Sequence, residues 1–267
     1  MNIVSVHYTY VTPTTKNGSN NATFDTLRNI INGTLGNVVE HGVDNAVKIR
    51  VDSQVGLNEF YSNRNGTEEL VSVKRNEGGF IHTTQTLAAD EKTRNTFECD
   101  MLITGARRVE ANPDRGTAER VFVKGFVFDF RKALLPVEFV TTHEGAMNYF
   151  EDLGATEKAP VFTKVWGQQV SQVTIVKTVE ESAFGDQKVT ETPYTNREFL
   201  ITGAMSEPYV WDDEGTMTVA EYQQALADRN LAVAAIKQRQ DEYNATRAQT
   251  QAPAAGPTAT NISGFNF

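Results

Sequence analysis

Apolar and polar residues alternate along much of the first two thirds of the chain. Residues 47–51 alternate apolar with basic side chains, which is typical of a strand with one buried face. Residues 57–61 and 69–75 flank an Asn- and Gly-containing segment, residues 63–66, and this arrangement predicts a hairpin. Residues 97–110 alternate again. The pattern therefore predicts a mainly β protein.

A long strand is predicted over residues 121–132, and its two faces differ in chemistry. Val121, Val123 and Val127 share one face, as in the interior of an ordinary barrel. The other face combines aromatic and basic side chains, which are Phe122, Lys124, Phe126, Phe128, Phe130 and Lys132. Because lysine rarely lies in a core, we expect this face to be exposed. A sheet packed on both sides would instead bury the phenylalanines, and alternation alone leaves both interpretations open.

Two short helices are predicted from their end signals. The first covers residues 23–31 and ends near Gly33. The second is opened by Thr141 and Glu144, which match a capping box, and it ends at Gly154.

A long helix is predicted near the end of the chain. Thr218 and Glu221 form another capping box, and helical spacing continues to about residue 246. Arg229 and Gln240 interrupt the apolar stripe of this helix. The stripe itself consists of Val219, Tyr222, Leu226, Val233, Ile236 and Tyr243.

These patterns divide the chain into a core, a helix and a tail. Residues 1–215 form a β-rich core, which is either one elaborated barrel or two sub-barrels at about residues 1–95 and 96–215. Residues 216–247 form the C-terminal helix. Residues 248–267 are uncharged and rich in Ala, Pro and Thr, a composition that predicts disorder.

A five-residue repeat bears on the choice between one barrel and two. The sequence Leu-Ile-Thr-Gly-Ala occurs at residues 102–106 and again at residues 200–204. It marks either related strands of duplicated barrels or a chance recurrence in β-rich sequence.

Charge and cysteine content limit the partners and the compartment. The net charge of −9 disfavours a general attraction to nucleic acid, but a local positive track suffices because phosphate contacts act over a short range. Residues 107–132 are basic, whereas residues 207–242 are acidic. A single cysteine, Cys99, fits a reducing compartment. With no membrane-length apolar run and no signal-peptide pattern, we expect a cytoplasmic protein without membrane contact.

Signatures of catalysis are missing from the sequence. The four histidines have no metal-ligand spacing, and there is no phosphate-binding glycine loop or nucleophile elbow. The acidic run at residues 212–214 precedes a helix, where acidic side chains favour the helix N-terminus. Cys99 falls on the apolar face of its strand, which favours a structural thiol. We therefore predict a protein that is not an enzyme and that uses no metal or cofactor.

Aromatic and basic residues that share a strand face are typical of single-stranded nucleic-acid binding, because bases stack on rings while amines contact phosphates. Phe162, Lys164 and Trp166 repeat the combination seen in residues 122–132. The predicted contact residues are Phe60, Tyr61, Arg64, Lys74, Arg75, Arg107, Arg108, Lys124, Phe126, Phe128, Phe130, Lys132, Lys164 and Trp166.

Several segments carry a resemblance to a known family. They are Ile-Thr-Gly at residues 103–105, Phe-Asp-Phe-Arg at 128–131, Leu-Leu-Pro-Val at 134–137, Phe-Thr-Lys-Val-Trp-Gly at 162–167 and Glu-Glu-Ser-Ala-Phe-Gly at 180–185. Over about residues 45–245 the chain resembles single-stranded DNA-binding proteins of phages of Gram-positive bacteria.

The resemblance implies an OB fold that coats single-stranded DNA during phage DNA replication or recombination in the host cytoplasm, without catalysis. Residues 126–132 and 164–166 are the positions that the resemblance assigns to the strand. Many such proteins recruit partner enzymes through an acidic tail tipped by phenylalanine. This chain ends in Phe265 and Phe267 but lacks acids over its last twenty residues. The missing acids disfavour recruitment of the usual kind through the tail, but docking of these phenylalanines in an apolar pocket of phage replication or recombination proteins remains an expectation.

The main alternative is a phage virion structural protein, such as a capsid decoration or tail component. A β-rich, acidic chain without catalytic motifs and with a polar tail fits that class as well. Binding to DNA would distinguish the two classes. A hydrolase with a dispersed site has no positive support in the sequence.

Overall fold

The computed structural model describes residues 4–64, 66–180, 182 and 184–250. Its N-terminal part contains helices α1 and α2 and a three-stranded sheet in the order β1-β3-β2. The bounds of these elements are β1 Val6–His7, α1 Ala22–Ile31, α2 Val38–Asn45, β2 Lys48–Arg64 and β3 Thr67–Thr84. The predicted hairpin and the first predicted helix are both confirmed.

The second part of the chain forms a five-stranded barrel in the order β4-β5-β6-β8-β7, with β7 pairing back to β4. Its elements are β4 Thr96–Val109, β5 Arg120–Phe128, β6 Leu134–Thr141, α3 Glu144–Asp152, β7 Val161–Glu180 and β8 Lys188–Ala204. The third and fifth strands of the barrel are parallel and meet at one pair, Val140 with Leu200, so closure is loose there. This order, with a helix between the third and fourth strands, is the OB fold.

Alternating residues of the barrel strands fill its interior. Val121, Val123 and Val127 are buried, which confirms the predicted interior face of β5. The rings of Phe139 and Phe199 stack at a centroid separation of 5.1 Å in the middle of this core. The mainly β prediction is therefore confirmed, and its Val face is the inside of the barrel.

The part of the N-terminal region that the structure describes does not form a second barrel. The described residues before 96 build the three-stranded sheet and helices α1 and α2. Both copies of the Leu-Ile-Thr-Gly-Ala repeat lie in the same barrel, one in β4 and the other in β8. The protein is thus one elaborated OB barrel, and the repeat does not mark a duplication.

Lys74 of β3 joins the N-terminal sheet to one end of the barrel. Its ammonium nitrogen lies 5.7 Å from the Phe139 ring centroid and 5.8 Å from that of Phe199, and it donates to the Glu138 carbonyl. Burial lowers the pKa of Lys74. Nearby, Asn76 donates to the Gln169 side-chain oxygen at 2.7 Å. Lys74 was predicted to contact nucleic acid, but its amine lies over the rings of Phe139 and Phe199 and donates to the Glu138 carbonyl.

Helix α4, Val219–Thr250, begins at the predicted capping box. The Thr218 backbone N–H donates to the Glu221 carboxylate at 2.8 Å, and the Glu221 N–H donates to the Thr218 hydroxyl at 3.1 Å. The other predicted capping box is wrong. Thr141 is buried in β6 and donates to the Ile201 carbonyl, and α3 starts after His143 without a side-chain cap.

The two polar interruptions of the α4 stripe bind the N-terminal hairpin. The Arg229 guanidinium forms a two-bonded ion pair with Glu59 of β2, with one Nη1–Oε2 distance of 2.6 Å. Their side chains are only 13% and 7% exposed. Gln240 pairs with both backbone groups of Tyr61, accepting from its N–H at 2.8 Å and donating to its carbonyl. Residues that break the apolar pattern therefore fix the position of the helix.

Replacing Arg229 with Ala is expected to destabilise the protein by about 3 kcal/mol, because it leaves Glu59 buried without its cation. Urea unfolding followed by circular dichroism measures the loss. The matched control is Arg50→Ala, which removes an exposed pair with Asp52 and should change stability by about 0.5 kcal/mol or less. Equal losses in both variants would contradict the assignment.

The same ion pair gives a pH dependence. Burial alone would raise the pKa of Glu59, but hydrogen bonds from Arg229 and Ser72 outweigh it and lower that pKa below its ordinary 4.5. A carboxyl group whose pKa is lowered by folding stabilises the folded state at pH values above its ordinary pKa. This stabilisation is lost as the pH falls through the lowered pKa of the folded state. The stability difference between wild type and Arg229→Ala should therefore shrink below about pH 4.5.

Candidate nucleic-acid interface

A second apolar cluster covers the middle of the outer barrel face. The segment of residues 209–226, here called the C-terminal cover, lies over strands β4, β5, β6 and β7. Its first contact is a backbone hydrogen bond of 2.8 Å from the Tyr209 N–H to the Phe162 carbonyl. The residues of the cluster are Leu102, Phe126, Phe128, Leu134, Phe162, Tyr209, Trp211, Met217, Tyr222, Ala225 and Leu226.

Aromatic rings hold this cover in place. The Phe162 ring centroid lies 4.7 Å from that of Tyr209 and 6.0 Å from that of Phe128. The ring centroid of Trp211 lies 5.7 Å from that of Tyr222, and Tyr222 is buried. Phe126 and Phe128 were predicted to contact nucleic acid, but they pack under the cover. Both rings are half-buried, because the cover and the apolar start of α4 pack on this face of β5.

One exposed patch remains beyond the cover on β4 and β5, and we call it the Arg107 patch. It consists of Arg107, Phe122 and Lys124. Arg107 pairs with Phe122 in the sheet, and its guanidinium carbon lies 4.9 Å from the ring centroid. Lys124 is exposed and forms a 3.2 Å ion pair with Glu157. Arg107 has no ion pair with any residue that the structure describes, so its charge is available.

A second exposed patch lies on β7, and we call it the Trp166 patch. Trp166 is 40% exposed, and its indole lies against Gly203, where an added Cβ would come within 2.3 Å of the ring nitrogen. Glycine at this position thus allows the ring to lie flat on β8. Lys164 lies beside it with its amine 3.2 Å from Glu98, and that hydrogen bond raises the pKa of Lys164.

The two patches do not form one continuous surface. Phe122 pairs with Arg107 of β4, whereas Trp166 pairs with Glu98, nine positions earlier on that strand. At ~3.3 Å per residue this separation is about 30 Å of strand. Leu102 lies between them under the C-terminal cover. The structure therefore places the predicted aromatic and basic residues of β5 and β7 on two separate patches.

The turn between β5 and β6 carries a third exposed group. Phe130 is 74% exposed, and the Arg131 guanidinium carbon lies 5.0 Å from its ring centroid. Lys132 is exposed in the left-handed region at φ 63°. The Asp129 carboxylate accepts from the backbone N–H of Arg131 and of Ala133, both at 2.8 Å, and so orders the turn. Phe130 and Lys132 are accessible, as predicted.

Two of the predicted cations are neutralised by carboxylates. Arg108 forms ion pairs of 3.0 Å with Glu119 and 2.6 Å with Glu151, and these hydrogen bonds raise its pKa further. Arg75 pairs with Glu77 at 2.7 Å. Neither guanidinium is free to bind phosphate without breaking these contacts.

The predicted hairpin residues lie next to α4. The Tyr61 ring is contacted by Lys237, whose amine is 5.6 Å from the ring centroid. Phe60 is 38% exposed and lines a shallow groove of about 470 Å³ beside Tyr243. The side chain of Arg64 and the residues Phe265 and Phe267 lie outside the part of the chain that the structure describes.

Two groups that the sequence offered for chemistry, Cys99 and Asp212, have structural surroundings. Burial raises the pKa of the Cys99 thiol to about 12, so it stays protonated at neutral pH, as a structural thiol does. The Asp212 carboxylate accepts from the Val219 N–H at 3.2 Å at the start of α4. Within the described ranges, no three His, Cys, Asp or Glu side chains come together as metal ligands would.

Together these observations describe an OB-fold protein with separate aromatic and basic patches around a covered barrel face. The sequence matches the YorF family model over residues 3–239, and the chain belongs to the YorF family. No curated protein and no solved structure gives a match. The helices of the described residues include none long and apolar enough to span a membrane.

The packing of the cover predicts unequal effects of two substitutions in neighbouring parts of β5 and its turn. Phe128→Ala should destabilise the protein by about 2 kcal/mol, because it opens a cavity among packed rings. Phe130→Ala, on the exposed turn, should cost less than about 0.5 kcal/mol. Thermal and urea unfolding check both values. If Phe128→Ala lost no more stability than Phe130→Ala, the result would argue against packing of the cover on Phe128.

Proposed function

We propose that this protein binds single-stranded nucleic acid without sequence preference. The observation that carries the proposal is the Arg107 patch on the outer face of an OB barrel. There the guanidinium of Arg107, which is exposed, lies on the half-buried ring of Phe122, 4.9 Å from its centroid. OB folds are a common scaffold for oligonucleotide binding, and an arginine on a ring offers both stacking and a phosphate contact.

The proposed strand contacts the aromatic patches at separate points. Bases stack on Trp166 at one patch and on the Arg107–Phe122 pair at the other, while Lys124 contacts phosphate. The turn adds Phe130, together with the cationic groups of Arg131 and Lys132. Each stacked base contributes about 1–3 kcal/mol and is sequence-tolerant, because every base has a π face.

The number of free cations sets the strength of this binding. Lys164 and Lys124 already pair with carboxylates, so their phosphate contacts must compete with those partners. We expect binding to depend on salt with a slope of about −0.7 per phosphate contact, as for single strands. We further propose single-stranded DNA as the ligand and phage DNA replication or recombination in the host cytoplasm as the setting. The resemblance of the sequence to phage proteins supports both.

Tryptophan fluorescence tests the proposal directly, because the chain has two tryptophans in different environments. Trp211 packs within the cover, whereas Trp166 is exposed. In the Trp211→Phe variant, titration with a thirty-nucleotide oligo-dT at low salt should quench the remaining Trp166 emission. The matched Trp166→Phe variant should show much weaker quenching. No change in either variant, together with no gel shift, would reject nucleic-acid binding.

Adjacent arginines of β4 provide a matched pair for the Arg107 patch. Arg107→Ala should weaken oligo-dT binding about fivefold, which corresponds to ~1 kcal/mol, and should make the salt slope about 0.7 shallower. Arg108→Ala should leave affinity unchanged, because this side chain is held by Glu119 and Glu151. Fluorescence anisotropy at several salt concentrations measures both. If the Arg108 variant loses more affinity than the Arg107 variant, the patch is wrongly assigned.

A further inference from the structure

The segment between β8 and α4 is fixed at both of its ends. At the first end, the Met205 N–H donates to the Lys164 carbonyl at 3.0 Å, and the Met205 carbonyl accepts from the Tyr149 hydroxyl at 3.0 Å. At the other end, the capping box of Thr218 starts α4. Residues 206–217 lie between these two fixed points, and we call them the lid. The lid contains the first part of the C-terminal cover.

The hydrogen bonds of the lid lie mostly within the lid itself. The Thr216 hydroxyl donates to the Val210 carbonyl at 2.8 Å, and the Thr216 N–H donates within the same turn at 3.1 Å. Among the described residues, Tyr209 alone connects the lid to the barrel by hydrogen bonds. Its N–H donates to the Phe162 carbonyl at 2.8 Å, and its hydroxyl donates to Asp100 at 2.9 Å. Release of Tyr209 therefore frees the lid as a unit.

Two rings of the lid occupy the barrel face in the way that stacked bases would. The Phe162 ring centroid lies 4.7 Å from that of Tyr209 and 6.2 Å from that of Trp211. Through these contacts Phe162 is only 8% exposed. Bases pack on aromatic side chains by contacts of the same kind. A strand that displaces the lid therefore exchanges ring contacts for base contacts and does not leave Phe162 in water.

The lid and the start of α4 are acidic. Residues 207–228 contain six acidic residues and no lysine or arginine. The ion pairs of the described residues include none of the six. They are Glu207, Asp212, Asp213, Glu214, Glu221 and Asp228. A strand that crossed the closed lid would place its phosphates against this uncompensated charge, and like charges in contact are unfavourable.

We propose that the lid occupies the middle of the nucleic-acid site and that a bound single strand displaces it. Displacement of the lid presupposes the proposed binding of single-stranded nucleic acid. With the lid closed, a strand contacts the Trp166 patch and the Arg107 patch separately. With the lid displaced, Phe162 becomes accessible between them on the outer side of β4. The lid thus regulates the site, because the strand binds the open state more tightly than the closed one.

Weakening the closed lid should strengthen binding. Tyr209→Ala removes the ring contact with Phe162 and the hydrogen bond to Asp100, so the thirty-nucleotide oligo-dT should bind at least about threefold more tightly. The matched control, Val210→Ala, changes the neighbouring side chain, which is exposed, and should leave the affinity unchanged. Fluorescence anisotropy measures both dissociation constants, and circular dichroism checks the fold. A folded Tyr209→Ala protein that binds no more tightly than wild type would contradict the proposal.

Hydrogen exchange in the unmodified protein observes the displacement itself. With saturating oligo-dT, the Tyr209 amide should exchange at least about tenfold faster than in the free protein, because its bond to the Phe162 carbonyl is broken. The Met205 amide, which lies before the lid, should keep its protection. In the Trp166→Phe variant, Trp211 should report the same opening as a shift of its emission to longer wavelength, without strong quenching.

A static lid and an absence of nucleic-acid binding give different results. If oligo-dT binds while the Tyr209 amide exchanges at the same rate or more slowly, the lid stays closed and the displacement is wrong, although nucleic-acid binding stands. Faster exchange at both Tyr209 and Met205 would indicate general loosening of the barrel and would also contradict a displaced lid. If wild type does not bind oligo-dT, the proposed function fails, and the role of the lid fails with it.

Discussion

The packing of Phe162 against Tyr209 and Trp211 holds the C-terminal cover on the barrel, and the accessible surface of the barrel depends on it. Without this contact the aromatic row of β5 would be one continuous exposed surface. With it, the row is divided into a covered middle and free ends. The cover is in turn continuous with α4, which the Arg229–Glu59 ion pair fixes to the N-terminal hairpin. One chain segment thus positions both sheets and defines the candidate site.

Local patterns in the sequence were sufficient for the strands and for the interior of the barrel. Alternation assigned Val121, Val123 and Val127 to the core, because the side chains of a strand must point to opposite sides. Alternation could not decide the fate of Phe126 and Phe128, since their partners lie about a hundred residues away in the cover. A capping box is likewise a local signal. The capping box at Thr218 is correct. Thr141 does not cap a helix, because it is buried in β6 and donates to the Ile201 carbonyl.

The candidate site was harder to predict than the fold, because neighbours in the tertiary structure determine whether a charged side chain is free to bind a ligand. Arg107 and Arg108 are adjacent and chemically identical, yet only Arg108 meets the carboxylates of Glu119 and Glu151. The same reason explains Lys74, whose sequence context is basic but whose amine lies over two core rings. Arg229 and Gln240 interrupt the apolar stripe of α4, and both bind specific partners in the N-terminal hairpin. A polar residue at a stripe position indicates a specific buried partner rather than a weaker helix.

The position of α4 in the chain has a consequence for biosynthesis. Glu59 and Arg229 are separated by 170 residues, and the barrel rings that the cover protects are also made well before it. During translation, the outer face of the barrel and the inner side of the hairpin emerge before the helix that buries them. Contacts of such high sequence separation form late and slowly. Nascent chains of this protein therefore pass through a stage with exposed aromatic surface, when chaperone binding or aggregation competes with folding.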